Sequence, residues 1–253
     1  MLRHRVIPCL LLSGEGLVKT TKFQSPSYVG DPLNAIRIFN EKEVDELIVL
    51  DIDASRQGRA PDFNRVEQVA SECFMPLCYG GGVASVEHAK TLFSLGVEKV
   101  SIQSAALSDL RLVSEIASRF GSQSVVVSID VKRNLFGKPK LYGSSRRNTS
   151  NVPWQEVLKK AVAAGAGEIL LNAVDKDGTL SGMDLGLIGE ASAICDAPLI
   201  AAGGAGSVQD LRAAVDAGAD AICAGAMFVY HGPRRAVLIT YPLYSQLQAL
   251  LDS

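Results

Sequence analysis

Much that would mark a specialised chain is scarce here. Histidine occurs three times, as His4, His88 and His231, at spacings that make no metal site. The five cysteines (Cys9, Cys73, Cys78, Cys195, Cys223) are odd in number and contain no Cys-x-x-Cys pair. They read as reduced core residues of a cytoplasmic protein, not as disulfides or metal ligands. No motif for a cofactor stands out, so neither cofactor nor metal is expected. Charge of one sign is also missing: 25 Lys+Arg against 27 Asp+Glu leave a formal net charge of −2. That excludes bulk-charge binding of nucleic acid and a polybasic membrane contact. No apolar run reaches the ~18 residues of a membrane span. Arg3, His4 and Arg5 ahead of Val6-Ile7-Pro8-Cys9-Leu10-Leu11-Leu12 imitate a signal peptide. The run is short, holds a proline and lacks a small-residue cleavage site, so a buried strand explains it better. The Asn148-Thr149-Ser150 sequon has no secretory context and reads as chance.

What is present is alternation. Eight short apolar runs recur at 5–12, 46–53, 76–81, 99–103, 124–132, 168–174, 198–204 and 221–228, most followed by a Gly- or Asp-containing loop and a helical pattern. Continuous apolar strands joined by helices imply a parallel sheet covered on both faces. Helical spacing is explicit in 85–95, where Val86, Ala89, Leu92 and Phe93 recur behind the cap candidate Ser85. Residues 208–217 repeat this design behind Ser207.

The two halves match at an offset of 122 residues. Pro76-Leu77 meets Pro198-Leu199, Gly81-Gly82 meets Gly203-Gly204, and Ser85-Val86 meets Ser207-Val208. Gly96 meets Gly218, Glu46 meets Glu168, Asp53 meets Asp175 and Ile7 meets Ile129, all without a gap. A period near half the chain predicts two four-strand halves fused into one (β/α)8 TIM barrel, a single domain over residues 1–253. A doubly wound two-domain protein is the alternative, but it needs a linker and no Pro/Ser-rich break lies near the midpoint.

In such barrels ligands bind at the carboxyl ends of the strands. Those ends carry Gly80-Gly81-Gly82 after strand three and Gly203-Gly204-Ala205-Gly206 after strand seven. Small residues end strand four (Ser104-Ala105-Ala106) and strand eight (Gly225-Ala226). Glycine lets backbone N–H groups approach an anion closely. One Gly-Gly pair reads as a tight turn. Two in register, each beside a small-residue strand end, point to two phosphate cradles and a ligand with a phosphate at each end, or to phosphate ions. Asp130, at the end of strand five, is the candidate acid or base. Asp51 and Asp53 end strand two, and Asp175 and Asp177 follow strand six. Asp177-Gly178-Thr179 reads as a turn that also touches phosphate or ribose. Lys19 lies in a long loop, Gly14 to Lys22, which reads as a mobile lid with a lysine contact or as a solvated loop.

Over nearly its whole length the chain resembles the cyclase subunit of imidazole glycerol phosphate synthase. The matching segments include Arg5-Val6-Ile7-Pro8-Cys9-Leu10, Gly30-Asp31-Pro32, Lys99-Val100-Ser101-Ile102, Phe120-Gly121-Ser122-Gln123, Asp130-Val131-Lys132-Arg133 and Gly165-Ala166-Gly167-Glu168-Ile169-Leu170-Leu171. The resemblance implies a lyase that takes a bisphosphorylated ribulosyl formimino nucleotide. Ammonia reaches it through the barrel from a glutaminase subunit docked at the amino ends of the strands. Two aspartates serve as acid and base. One aligns with Asp130; the other aligns with Leu11, which cannot transfer a proton. Gln103 stands where the family usually has Asn, Asn172 where it has Thr, and Ala226 where it has Ser. Arg5, Glu46, Lys99 and Glu168 match the family's ring of charges where ammonia enters, read as a gate over the alternative of a salt-bridge plug.

Three functions are therefore weighed. The first is a paralogue that docks a glutaminase and passes ammonia to a sugar in surface-glycan (O-antigen) synthesis, with a possible third, sugar-amidating subunit and weak or absent cyclase activity. Tyr28-Val29-Gly30-Asp31-Pro32 and Phe39 to Glu46 look more like such paralogues. The second is an active cyclase of histidine biosynthesis, and the third is a scaffold without turnover.

Overall fold

The computed structural model describes residues 4–251; Met1 to Arg3, including the Arg3 of the signal-like start, and Asp252–Ser253 lie outside the described residues. Eight parallel strands form the frame: β1 (Arg5–Ser13), β2 (Leu47–Asp51), β3 (Leu77–Gly80), β4 (Lys99–Ile102), β5 (Val125–Arg133), β6 (Glu168–Ala173), β7 (Leu199–Ala202) and β8 (Ala221–Ala224). Each pairs with the next, and β8 returns to β1 with Arg5 opposite Ala221 and Ile7 opposite Cys223, so the sheet closes. Helices at 32–41, 63–72, 86–94, 111–120, 154–163, 185–192, 208–216 and 244–251 follow the strands in turn. This is the (β/α)8 barrel that the alternating pattern predicts.

Helix starts obey local chemistry. Ser85 accepts from the His88 N–H and Ser207 from the Asp210 N–H, and Asp210 bonds back to complete a capping box. Asp31, Asp62 and Asp184 cap three more helices in the same way. One core lies between sheet and helices, around Phe39, Leu92, Trp154 and Phe228. A second fills the barrel, where Ile7, Ile48, Cys78, Val126, Leu170 and Ile200 meet. Each such side chain contributes about 1.5–3 kcal/mol on burial. The alternation of strand side chains sends one set outward to the helices and the other into the barrel.

Three sequence expectations change. The Gly14–Lys22 segment, read as a loop, is largely strand. Gly16–Thr21 pairs antiparallel with β1, Leu11 opposite Val18, and with Gln24–Gly30, so its backbone is consumed by a hairpin. The eighth strand stops at Ala224, and Ala226–Val229 is a short helix; Ser104–Ser108 is likewise a helical turn, not a strand end. A second hairpin, Pro139–Gly143 with Asn148–Thr149, extends β5 over the mouth and places the sequon on an exposed strand. The five cysteines are unpaired. Among the described residues, no helix is long and apolar enough to cross a membrane.

Candidate active site at the barrel mouth

The carboxyl ends of the strands surround a cavity of about 1380 Å³, counted out to open solvent. Asp130 sits on its floor, 4% exposed. Burial pushes its carboxyl up to about 7; the Gln103 amide opposes this, the Asp177 charge adds to it, and the Ser128 and Ser144 hydroxyls oppose it. Gln103 Nε2 donates to Asp130 Oδ2, and the Gln103 carbonyl oxygen accepts from the Ser144 hydroxyl and from its N–H at 3.2 Å. Asn172 is next to Asp130 in the β5–β6 register, and its Oδ1 is buried without a partner.

The opposite wall carries two leucines. Leu11 lines the cavity from β1, in register with Leu50 of β2, which lines it too. Lys19, 5% exposed, donates its ammonium to the Cys9 carbonyl and reaches the backbone of Gly225, where a Cβ would strike Nζ. The other strand-end acids are engaged. Asp51 holds the Arg59 guanidinium at 2.9 Å and accepts from the Asp53 and Ala54 N–H groups. Asp53 accepts from Ser13, and Asp175 from the Arg133 N–H. Asp177 accepts from Thr20 Oγ1 at 2.9 Å and from the Phe23 N–H, pinning the first hairpin to the rim; burial raises its carboxyl above the ordinary range.

The two glycine loops occupy equivalent places. Gly81 has φ +117° and Gly203 has φ +96°. A Cβ at Gly81 would collide with the Asp51 carbonyl oxygen, and one at Gly203 would lie 2.6 Å from that of Ala173, again 122 residues on. Gly81, Ser104, Gly178, Gly203, Gly204, Gly225 and Ala226 all line the cavity. Gly82 does not: its N–H donates to Ser55 Oγ and its carbonyl faces His88 Nδ1. Of the Gly81-Gly82 pair, only Gly81 therefore faces the cavity.

At the other end of the barrel, Arg5, Glu46, Lys99 and Glu168 form a closed ring. Arg5 contacts Glu46 and, at 2.8 Å, Glu168; Lys99 lies 2.9 Å from Glu46 and 3.1 Å from Glu168. Glu46 is 2% exposed, and its Oε1 has no partner. Between ring and mouth lies the apolar inner core.

The model of the histidine biosynthesis protein family matches residues 5–233. The chain belongs to that family, in its HisF-like cyclase branch. It is 53% identical over 255 residues to a Pseudomonas aeruginosa protein provisionally named imidazole glycerol phosphate synthase subunit hisF2, covering 98% of this chain and 99% of the relative. A Vibrio vulnificus protein provisionally named subunit hisF3 is 46% identical over 260 residues, covering 100% and 98%. Imidazole glycerol phosphate synthase subunit HisF of Dictyoglomus turgidum is 41% identical over 228 residues, covering 90% of each.

In this HisF-like barrel, sequence reading brought Asp130, Lys19, Gln103, Asn172 and the two cradles to one cavity. It missed Ser144, Ser101, Ser128, Arg56 and Arg147, which also line it. Ser144 and Arg147 belong to the second hairpin. The Gly143-Ser144-Ser145-Arg146-Arg147 run was the available signal, a polar turn rich in anion-binding groups. Among the described residues, no group of three or more His, Cys, Asp or Glu is placed to hold a metal ion.

Proposed function

We propose that this chain is the barrel subunit of a glutamine-dependent ammonia-transfer complex whose acceptor is not the ribulosyl precursor of imidazole glycerol phosphate. A glutaminase docks at the amino ends of the strands. Ammonia enters at the Arg5, Glu46, Lys99 and Glu168 ring, crosses the apolar interior and meets a phosphorylated acceptor held between the Gly81/Ser104 and Gly203/Gly204/Gly225 cradles. The acceptor class that fits is a phosphorylated sugar, amidated for a surface glycan with a third subunit supplying the remaining chemistry. One observation carries this reading: Leu11 lines the mouth where the family's second carboxylate belongs, while the charged ring at the floor is complete. The relatives named as numbered copies, hisF2 and hisF3, agree with a duplicated subunit. Burial brings the Asp130 carboxyl up to about 7, where it can give or take one proton near neutral pH. It lacks a second carboxylate at position 11 to complete the family's acid–base pair.

The test is cyclisation of the bisphosphorylated ribulosyl formimino substrate with ammonium salt. Loss of one placed acid or base lowers a rate by about 10²–10⁴-fold. Turnover is therefore expected far below the ordinary range of about 1–10³ per second, with partial rescue at best in Leu11→Asp. Ordinary turnover by the native chain would overturn the reading and make it an active cyclase of histidine biosynthesis, the alternative favoured by the family match and by Asp130.

A further inference from the structure

A glutamine side chain beside a carboxylate has two orientations, and only one offers a donor. At the mouth something must choose between them. Gln103 leaves the end of β4 and lies over Asp130 of β5. Two donors of one residue, the N–H and the hydroxyl of Ser144, converge on the Gln103 carbonyl oxygen. The amide nitrogen must then face the other way, where Asp130 Oδ2 accepts from it. Ser144 itself belongs to the hairpin that continues β5, in which Tyr142 is paired with Asp130. The chain of contacts starts on a rim hairpin and ends on a carboxylate that is 4% exposed.

We infer that Ser144 is a positioning residue: by pinning the Gln103 carbonyl it turns that amide's N–H onto Asp130. The longer side chain of glutamine is what lets position 103 span from the hairpin to the carboxylate. A donor held on a carboxylate favours its charged form. Releasing the amide therefore leaves the burial of Asp130 opposed by fewer donors, and the carboxyl holds its proton more tightly. The charged and titratable groups around it stay in place when Ser144 is altered. They are Asp177 after β6, Lys19 beside Asp177 on the first hairpin, Tyr142 and Arg147 on the second, and Arg56 after β2.

The inference gives a mechanism for setting the Asp130 proton affinity that the proposed function relies on. Its test uses neither substrate nor turnover, so its failure is separable from failure of that reading. The protein is labelled with carboxyl-¹³C aspartate, and the Asp130 signal is identified by its loss in Asp130→Asn. Its titration midpoint is then followed by NMR. Ser144→Ala removes the hydroxyl and keeps the longer N–H contact at 3.2 Å, and is expected to raise the midpoint by up to about one unit, the size set by losing a hydrogen bond to a charged group. Ser144→Thr, which keeps the hydroxyl, restores the native midpoint. Gln103→Met, of similar length and without a donor, raises it at least as far. The Ser144→Ala/Gln103→Met double variant falls short of the sum of the two single shifts, because the part of the Ser144 effect that passes through the Gln103 amide is already lost, while the direct effect of its hydroxyl on Asp130 remains. A native midpoint in Ser144→Ala, or additive shifts in the double variant, overturns the inference. If Ser144→Ala fails to fold, a Gln103→Met midpoint at or below the native one overturns it as well.

Discussion

Lys99→Met isolates what the ring at the barrel floor contributes. The four side chains cancel in charge, Arg5 and Lys99 against Glu46 and Glu168. Removing Lys99 leaves two carboxylates facing one guanidinium, a net charge of −1 where Glu46 is 2% exposed. Breaking a buried ion pair by deleting one partner costs about 3–5 kcal/mol, because the remaining charge is left uncompensated. Arg5 still contacts both acids, and the Lys99 side chain retains 16% exposure, so the lower figure applies. A loss of about 3 kcal/mol lowers the melting temperature of a domain this size by roughly 6–12 °C. The Lys99→Met/Glu168→Gln double variant restores neutrality and is expected to regain at least about 1 kcal/mol. Urea unfolding followed by circular dichroism, at low salt and at 0.5 M salt, measures all three proteins. A buried ring is screened little by salt. A Lys99→Met variant within about 0.5 kcal/mol of the native chain would refute the argument, since that is the behaviour of a solvated surface pair.

Two further predictions concern the mouth. Gly81→Ala must place a Cβ against the Asp51 carbonyl at φ +117°; a loss of more than about 2 kcal/mol in unfolding free energy is expected, with phosphate binding by calorimetry lost at that cradle, and near-native stability would contradict the close approach. The Asp130 carboxyl lies near 7 in the folded chain and near 3.8 in the unfolded one. The folded state therefore binds the extra proton between those values, and stability falls as pH rises from about 4 to about 7, then levels. Asp130→Asn removes that penalty. It should be more stable than the native chain at pH 8, by on the order of 2–4 kcal/mol, with the gain shrinking toward pH 4; an equal difference at both pH values in urea unfolding would sink the argument.

Sequence alone settled the architecture because local rules set it. Apolar runs of strand length, the cap residues Ser85 and Ser207 and the 122-residue register each act over a few neighbouring residues or repeat in order. The same register reaches even the clash partners of Gly81 and Gly203, which are the carbonyls of Asp51 and Ala173. Glu46 and Glu168 were visible as ring members through the family resemblance, which places charges at the strand starts. Residues whose role depends on a hydrogen-bond partner far along the chain were not legible. Lys19 and Asp177 were read as contacts at the mouth, but the partners that seat them were not: the hairpin folds Lys19 onto the Cys9 carbonyl, and Thr20 and Phe23 meet Asp177. Gly82 matched Gly204 in sequence, yet Ser55 takes its N–H and removes it from the cavity wall. Ser144 had no periodic signature at all; a contact spanning 41 residues joins it to Gln103. A sequence pattern records which face a side chain occupies, whereas only closure of the barrel decides which hairpin lies over which strand end, and so which polar groups find each other.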